Sequence, residues 1–170
     1  MIKGKEIETL INQMADQIDQ HQLESPLFVG IRTGGVWIAE KLHDACKAKE
    51  PLGILDISFY RDDFSTVGLN PQVKASDLPV PVENRNIVLV DDVLYTGRTI
   101  RAALNELFSY GRPASVLLAV LIDRPGRQLP IQAGVFGRFM DIESDQHVQL
   151  AQVGSKLEVR ILSLETKDAE

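Results

Sequence analysis

The stretch Val88-Leu89-Val90-Asp91-Asp92-Val93-Leu94-Tyr95-Thr96-Gly97-Arg98-Thr99 constrains this chain more than any other. An apolar run meets two consecutive acids, Thr-Gly signals a turn, and helix-forming residues continue from Arg98. In a parallel sheet, acids at the carboxyl end of a strand stand where open α/β sheets bind ligands. Each part has a use at a sugar phosphate. Amides at a helix N-terminus, reinforced by its dipole, bind an anion. Thr96 and Thr99 add hydroxyl donors, and Gly97 lets the backbone approach closely, so the turn suits a 5-phosphate. Asp91 and Asp92 can accept hydrogen bonds from vicinal ribose hydroxyls. Taken alone, two acids three residues before Thr-Gly would sooner be read as a solvated strand end followed by a helix cap, so the rest of the chain has to decide.

The rest alternates. Ile7, Leu10, Ile11, Met14 and Ile18 recur at helical spacing, which predicts an amphipathic helix over residues 4 to 22 with a core-facing stripe. LFVGI (27 to 31) reads as a strand, Gly34-Gly35 as a turn, and 36 to 49 as a helix. Strands are then predicted at 52 to 60, 86 to 93 and 114 to 122, with a helix at 98 to 111 closed by Gly111. Strands and helices in alternation argue for an α/β fold with a parallel sheet. Residues 61 to 85 are polar, contain proline and have no sustained apolar period, as functional or mobile loops do. AGVFGRF, HVQLAQV and LEVRILSL, between residues 131 and 163, read as strands of a small C-terminal cap or sheet edge.

At 170 residues with 44% hydrophobic content, one domain spanning 1 to 170 with one continuous core is expected. Nothing resembles a membrane span or an apolar leader, so a cytoplasmic location is expected. The one cysteine, Cys46, excludes a disulfide framework and reads as a buried helix residue. His21, His43 and His147 have no ligand spacing and read as surface or helix residues. A net charge of −6 disfavours a surface devoted to polyanions, although a local basic patch is compatible with it.

The central stretch closely resembles the phosphoribosyl pyrophosphate signature of the type I phosphoribosyltransferases. GIRTGG (30 to 35), SFYRDD (58 to 63), DDVLYTGRTIRAAL (91 to 104), GRPASVLLAVLIDR (111 to 124) and LPIQA (129 to 133) are similar, in order, to blocks of the pyrimidine-operon attenuator/uracil phosphoribosyltransferase family. The resemblance implies the type I fold, with a flexible hood loop and a small C-terminal cap. It gives Asp91 and Asp92 the ribose hydroxyls, and the segment Val93, Leu94, Tyr95, Thr96, Gly97, Arg98 and Thr99 the 5-phosphate. Arg32, Thr33 and Gly34 match the pyrophosphate loop, where many relatives carry Arg at the position of Gly34. The hood corresponds to residues Arg61 to Pro79, with Arg61 and Lys74 toward pyrophosphate. Arg124, after Asp123, and Val135 with Phe136 are implied at the base.

The reaction implied is magnesium-dependent transfer of phosphoribosyl from phosphoribosyl pyrophosphate to uracil, giving UMP and pyrophosphate. Mg2+ would be held through pyrophosphate, ribose and water, with Asp91 and Asp92 contributing at most through metal-bound water. Purine-handling relatives commonly carry an acid where this chain has Tyr95, which favours uracil. The resemblance also implies a homodimer or higher homo-oligomer, and it allows a UMP-sensing RNA-binding regulator with little catalysis, or a transferase for another base. RNA binding is expected to be weak. Residues 1 to 25 hold Lys3 and Lys5 against Glu6, Glu8, Asp16, Asp19 and Glu24, and DRPGRQLPI stands where relatives often read Gly-His-Arg.

Overall fold

The structure, a computed structural model, describes residues 1–58 and 75–163. The elements are β1 (Ile2–Lys3), α1 (Gly4–Gln20), β2 (Leu27–Ile31), α2 (Gly34–Ala45), β3 (Gly53–Leu55), β4 (Asn86–Leu94), α3 (Arg98–Ser109), β5 (Ser115–Asp123), β6 (Val135–Phe139), β7 (Gln146–Val153) and β8 (Lys156–Ser163). Five strands form a sheet in the order β3-β2-β4-β5-β6, and each neighbouring pair is parallel. The near-continuous apolar runs of β2, β4 and β5 fit a sheet covered on both faces. Val88 and Val90 pack with Met14 of α1 and Ile38 and Leu42 of α2, while Ile87 and Leu89 pack with Ile100, Ala103 and Leu107 of α3. The period of two along β4 thus divides its side chains between two cores.

From β2 the chain steps outward to β3, then crosses back to β4 and continues the other way through β5 and β6. The direction reverses between β2 and β4. This opens a crevice at their carboxyl ends, the usual ligand position in such sheets. The turn at Arg32 and Thr33, the start of α2 at Gly34, and the acids Asp91 and Asp92 all arrive there.

Most predicted elements are present with shifted ends: β4 runs on to Leu94, and Gly34-Gly35, expected as a turn, open α2 because glycine lets the helix start against β4. The strand predicted over 52 to 60 is confined to Gly53–Leu55 within the described residues. Asp56 explains the stop: its Oδ1 accepts hydrogen bonds from the Ser58 amide (2.9 Å) and hydroxyl (2.6 Å), a side-chain turn that draws the backbone off the ladder. Residues 61 to 74 of the expected hood lie outside the described residues. Its return is anchored by an isolated bridge between Ile54 and Asp77 and by Ser76, whose hydroxyl donates to Glu106 of α3 at 3.1 Å.

Of the C-terminal runs, β6 extends the parallel sheet, whereas β7 and β8 form an antiparallel hairpin through a two-residue turn. Gly154, at φ 62°, supplies the left-handed residue that this turn requires. The third strand of this cap comes from the opposite end of the chain: Ile2 pairs with Val159 and Lys3 with Glu158. A two-residue strand carries no periodicity, so sequence reading had no access to it. Among the described residues no helix is long and apolar enough to cross a membrane. Cys46 caps the end of α2, and burial, then Asp19 and Asp16, push its thiol up to about 11, so it stays protonated and unreactive at neutral pH.

Gly30 marks where α2 presses on the sheet. A Cβ there would stand 2.7 Å from Val36 Cα and 3.0 Å from both Ala39 Cβ and the Gly35 carbonyl. Gly30→Val is therefore expected to destabilise the protein by about 1–3 kcal/mol or more, because the obstruction is backbone that cannot turn aside. A lowered urea midpoint checks this, and an unchanged midpoint would show that α2 is free to lift.

Candidate functional site

At the crevice, the end of β2 and the end of β4 meet at van der Waals distance. A Cβ on Gly34 would collide with the Asp92 carboxylate, lying 2.6 Å from its Cγ, and one on Gly35 would lie 3.0 Å from Asp91 Cα. At Gly35 the obstruction is backbone, whereas at Gly34 it is the Asp92 side chain, so in this chain a side chain at Gly34 needs Asp92 to move. Asp91 is buried, and its Oδ1 accepts the Asp92 amide at 2.9 Å. Asp92 Oδ1 accepts the Val93 amide at 3.0 Å, which fixes the carboxylate and leaves Oδ2 toward Gly34. Arg32 donates its amide to the Leu55 carbonyl at 2.9 Å, and its Nε lies 3.6 Å from Asp56 Oδ2. The Arg32–Thr33 peptide is cis.

Beyond the acids lies a cavity of about 430 Å³. Its walls are the continuous run Asp91 to Arg101, together with Arg124 and the cap residues His147, Val148 and Gln149. Gly97, at φ 91°, precedes the first residue of α3, and Thr96 Oγ1 accepts the Arg98 amide at 3.2 Å. The positive dipole end of α3 and the hydroxyls of Thr96 and Thr99 therefore face the same space as the two carboxylates. Such an arrangement can hold an anionic group at one end and a polyhydroxylated ring at the other.

A loop after β5 backs this turn. Arg127 directs Nη1 to the carbonyls of Leu94 and Arg124, each at 3.3 Å, and to that of Tyr95, while its Nη2 pairs with Asp123 at 2.5 Å. The amides of Gln128 and Leu129 donate to the Thr96 carbonyl at 2.9 and 3.2 Å, and Gln128 Oε1 accepts Arg98 Nε at 2.9 Å. The Tyr95 ring is held between Gly126, where a Cβ would strike it, and the Arg124 guanidinium 4.1 Å from its centroid.

The sequence-predicted residues divide accordingly. Asp91 through Thr99 and Arg124 are brought together around the cavity. Arg32, Thr33 and Gly34 stand beside it at the end of β2. Arg61 and Lys74 lie outside the described residues. Val135 and Phe136 are not at this cavity: Val135 is buried in the core beneath α1, and the Phe136 carbonyl accepts from Gln17 Nε2 on α1 at 3.0 Å while its amide donates to Gln17 Oε1 at 3.3 Å. They are the first two residues of β6, so they lie at the end of that strand opposite the carboxyl-end crevice.

Arg124 is 2% exposed and donates to the carbonyls of Gln146 (2.8 Å) and Glu143 (3.0 Å), so two of its nitrogens secure the cap. Its Nε is buried without a hydrogen-bond partner. Sequence reasoning missed Arg127, Gln128 and the cap wall, and took His147 for an ordinary surface residue; it is exposed, but on the cavity wall. No signal marked them, since their roles arise from pairing between distant segments. Among the described residues no group of three or more His, Cys, Asp or Glu could hold a metal ion. Two adjacent carboxylates do fit a hard ion that keeps most of its water and is bound largely through a substrate's own oxygens.

Residues 2–156 match the family described as the phosphoribosyl transferase domain. A relative named "Bifunctional protein PyrR" from Nitrosococcus oceani is 51% identical over 150 residues, covering 85% of each chain. A protein of the same name from Pseudomonas savastanoi pv. phaseolicola is 52% identical over 146 residues, 84% of this chain and 86% of that one. Among solved structures, a hypoxanthine-guanine phosphoribosyltransferase from Bacillus anthracis superposes with a TM-score of 0.70 at 20% identity, covering 87% of this chain and 85% of that one. A hypoxanthine phosphoribosyl transferase of Trypanosoma cruzi does so with a TM-score of 0.67 at 22% identity, covering 86% and 79%. The structural matches carry the fold and the sequence matches carry the branch: the chain belongs to the type I phosphoribosyltransferases, in the branch of the pyrimidine-operon attenuator/uracil phosphoribosyltransferases.

Proposed function

We propose that this protein transfers the phosphoribosyl group of phosphoribosyl pyrophosphate to uracil, giving UMP and pyrophosphate. The observation that carries the reading is the shared cavity: Asp91 and Asp92 at the end of β4 open onto the same space as the Thr96–Thr99 turn. In this reading the two carboxylates accept hydrogen bonds from the ribose hydroxyls, and the turn amides with Thr96 and Thr99 hold the 5-phosphate. Cleavage of the anomeric bond builds positive charge on the ribose and negative charge on pyrophosphate, so fixing both ends of the sugar lowers the barrier by orientation. Arg32 and the amides of Thr33 and Gly34 stand on the leaving-group side, and Arg61 and Lys74 would reach it from the hood. Mg2+, when bound through substrate oxygens and water near Asp91 and Asp92, supplies charge neutralisation of the leaving group.

The choice of uracil rests on Tyr95. Its ring is clasped by Arg124 and Gly126 and offers no carboxylate to a purine ring nitrogen. The base would lie between this ring and the wall made by His147, Val148 and Gln149. A second reading, a UMP-sensing RNA-binding regulator, is favoured by the name of the relatives, which calls them bifunctional. Charge argues against strong RNA binding. Of the two lysines in residues 1 to 25, Lys3 is already paired with Glu158 at 3.7 Å. A face short of Lys and Arg lacks the counterion release that drives RNA association.

Asp92→Asn keeps the shape and removes the charge, so transfer is expected to fall by about tenfold or more, roughly 1.4 kcal/mol in barrier, with thermal stability little changed. Gly34→Ala should act through the same group, pushing the Asp92 carboxylate from its seat and lowering kcat/KM for phosphoribosyl pyrophosphate. Assays of magnesium-dependent pyrophosphate release with uracil, hypoxanthine, guanine, xanthine and orotate test both variants and the base; full activity of Asp92→Asn would remove the ribose role. In filter binding at physiological salt, pyrimidine-operon leader RNA is expected to bind weakly with or without UMP. Nanomolar, UMP-enhanced binding would instead establish the regulatory reading.

A further inference from the structure

Arg127 is the charged side chain most fully engaged with the backbone of the site without lining the cavity. It reaches the carbonyls of Leu94 and Tyr95, and the next carbonyl, that of Thr96, is taken by the amides of Gln128 and Leu129. Three successive carbonyls, 94 to 96, are therefore drawn toward one loop. Among the described residues only the Arg32–Thr33 peptide is cis, so each of these three peptides is planar and trans, with its N–H antiparallel to its C=O. Turning the carbonyls of Leu94, Tyr95 and Thr96 toward the loop turns the amides of Tyr95, Thr96 and Gly97 the opposite way. Successive amides brought to one side around a left-handed residue make an anion-binding concavity, and Gly97 at φ 91° is that residue.

We infer that Arg127 is a positioning residue for the 5-phosphate: by holding the Tyr95 carbonyl, and the Leu94 carbonyl together with the Arg124 amide at 3.1 Å, it presents the amides of Tyr95 and Thr96 to the phosphate, with Asp123 aiming the guanidinium. This rests on the reading of the Thr96–Thr99 turn as the phosphate seat. The ion pair with Asp123 is 2.5 Å long and both side chains are largely shielded from solvent, which keeps the planar fork in one orientation. A lysine in its place has three donors on one nitrogen and lacks the rigid fork that sets Nη1 on the carbonyls while Nη2 meets Asp123.

The test compares ligands that differ only in the phosphate. By calorimetry, wild-type protein should bind UMP more tightly than uridine by about tenfold or more, and Arg127→Gln should lose about tenfold in UMP affinity while uridine affinity stays within about twofold. Equal wild-type affinity for UMP and uridine would overturn the phosphate seat itself, and the inference with it. A wild-type preference that Arg127→Gln retains in full would overturn the inference alone. Parallel loss of both ligands would also overturn it, since Arg127 would then be a general support of the fold. Should Arg127→Gln lack a cooperative melt, Arg127→Lys carries the comparison: UMP affinity is expected to fall by about threefold or more with uridine unchanged, and unchanged UMP affinity counts against the inference.

Discussion

The close approach of the β2 turn to the end of β4 governs the arrangement of everything around the cavity. Reversal of strand order makes the crevice, but its width is set by Gly34 against Asp92 and Gly35 against Asp91. A side chain at either glycine would separate the two strand ends or displace a carboxylate. The expectation that Gly34 merely lacks a basic group that relatives carry thus acquires a second, steric content: in this chain the position is filled by Asp92. Burial of Asp91 at the same contact keeps water from the inner carboxylate and leaves the outer one as the more accessible acceptor.

Behind that contact, the binding surface is mostly backbone, and backbone must be held. α3 supplies a dipole, Gly97 a conformation, and the loop after β5 a set of donors for carbonyls that would otherwise be free to turn. Arg124 and Arg127 divide this work. Arg127 faces the turn, whereas Arg124 faces the cap and places its guanidinium on Tyr95. Two arginines three residues apart therefore join three segments that sequence separates widely. A cation buried to the extent of Arg124 is tolerable because backbone carbonyls and an aromatic face replace much of its hydration.

The parallel sheet was legible because strands buried on both faces leave continuous apolar runs, and β4 with its terminal acids could be read almost to its last residue. The central segment of the site was legible for the same reason, being local: strand, acids, turn and helix are consecutive. What was not legible depends on partners distant in the chain. Val135 and Phe136, expected at the base, stand away from the cavity because strand register sets Val135, the first residue of β6, opposite Ala119. His147 and Arg127 look ordinary until the cap and the post-β5 loop are brought against β4. Asp56 ended its strand early through a side-chain bond to Ser58, a competition that apolar pattern alone does not report.

The pairing of Ile2 with Val159 has a consequence for the order in which the molecule can be assembled. A contact between residues so far apart in the chain closes its loop at an entropic cost that grows with the logarithm of the separation, and such contacts form late in folding. Within the parallel sheet, β4, α3 and β5 follow one another along the chain, so that unit can form first. The three-stranded cap, which supplies one wall of the cavity, has to wait for β8. During that interval the acids and the turn would exist as an open ledge without the His147–Gln149 wall, and the walled cavity would be the last feature of the fold to appear.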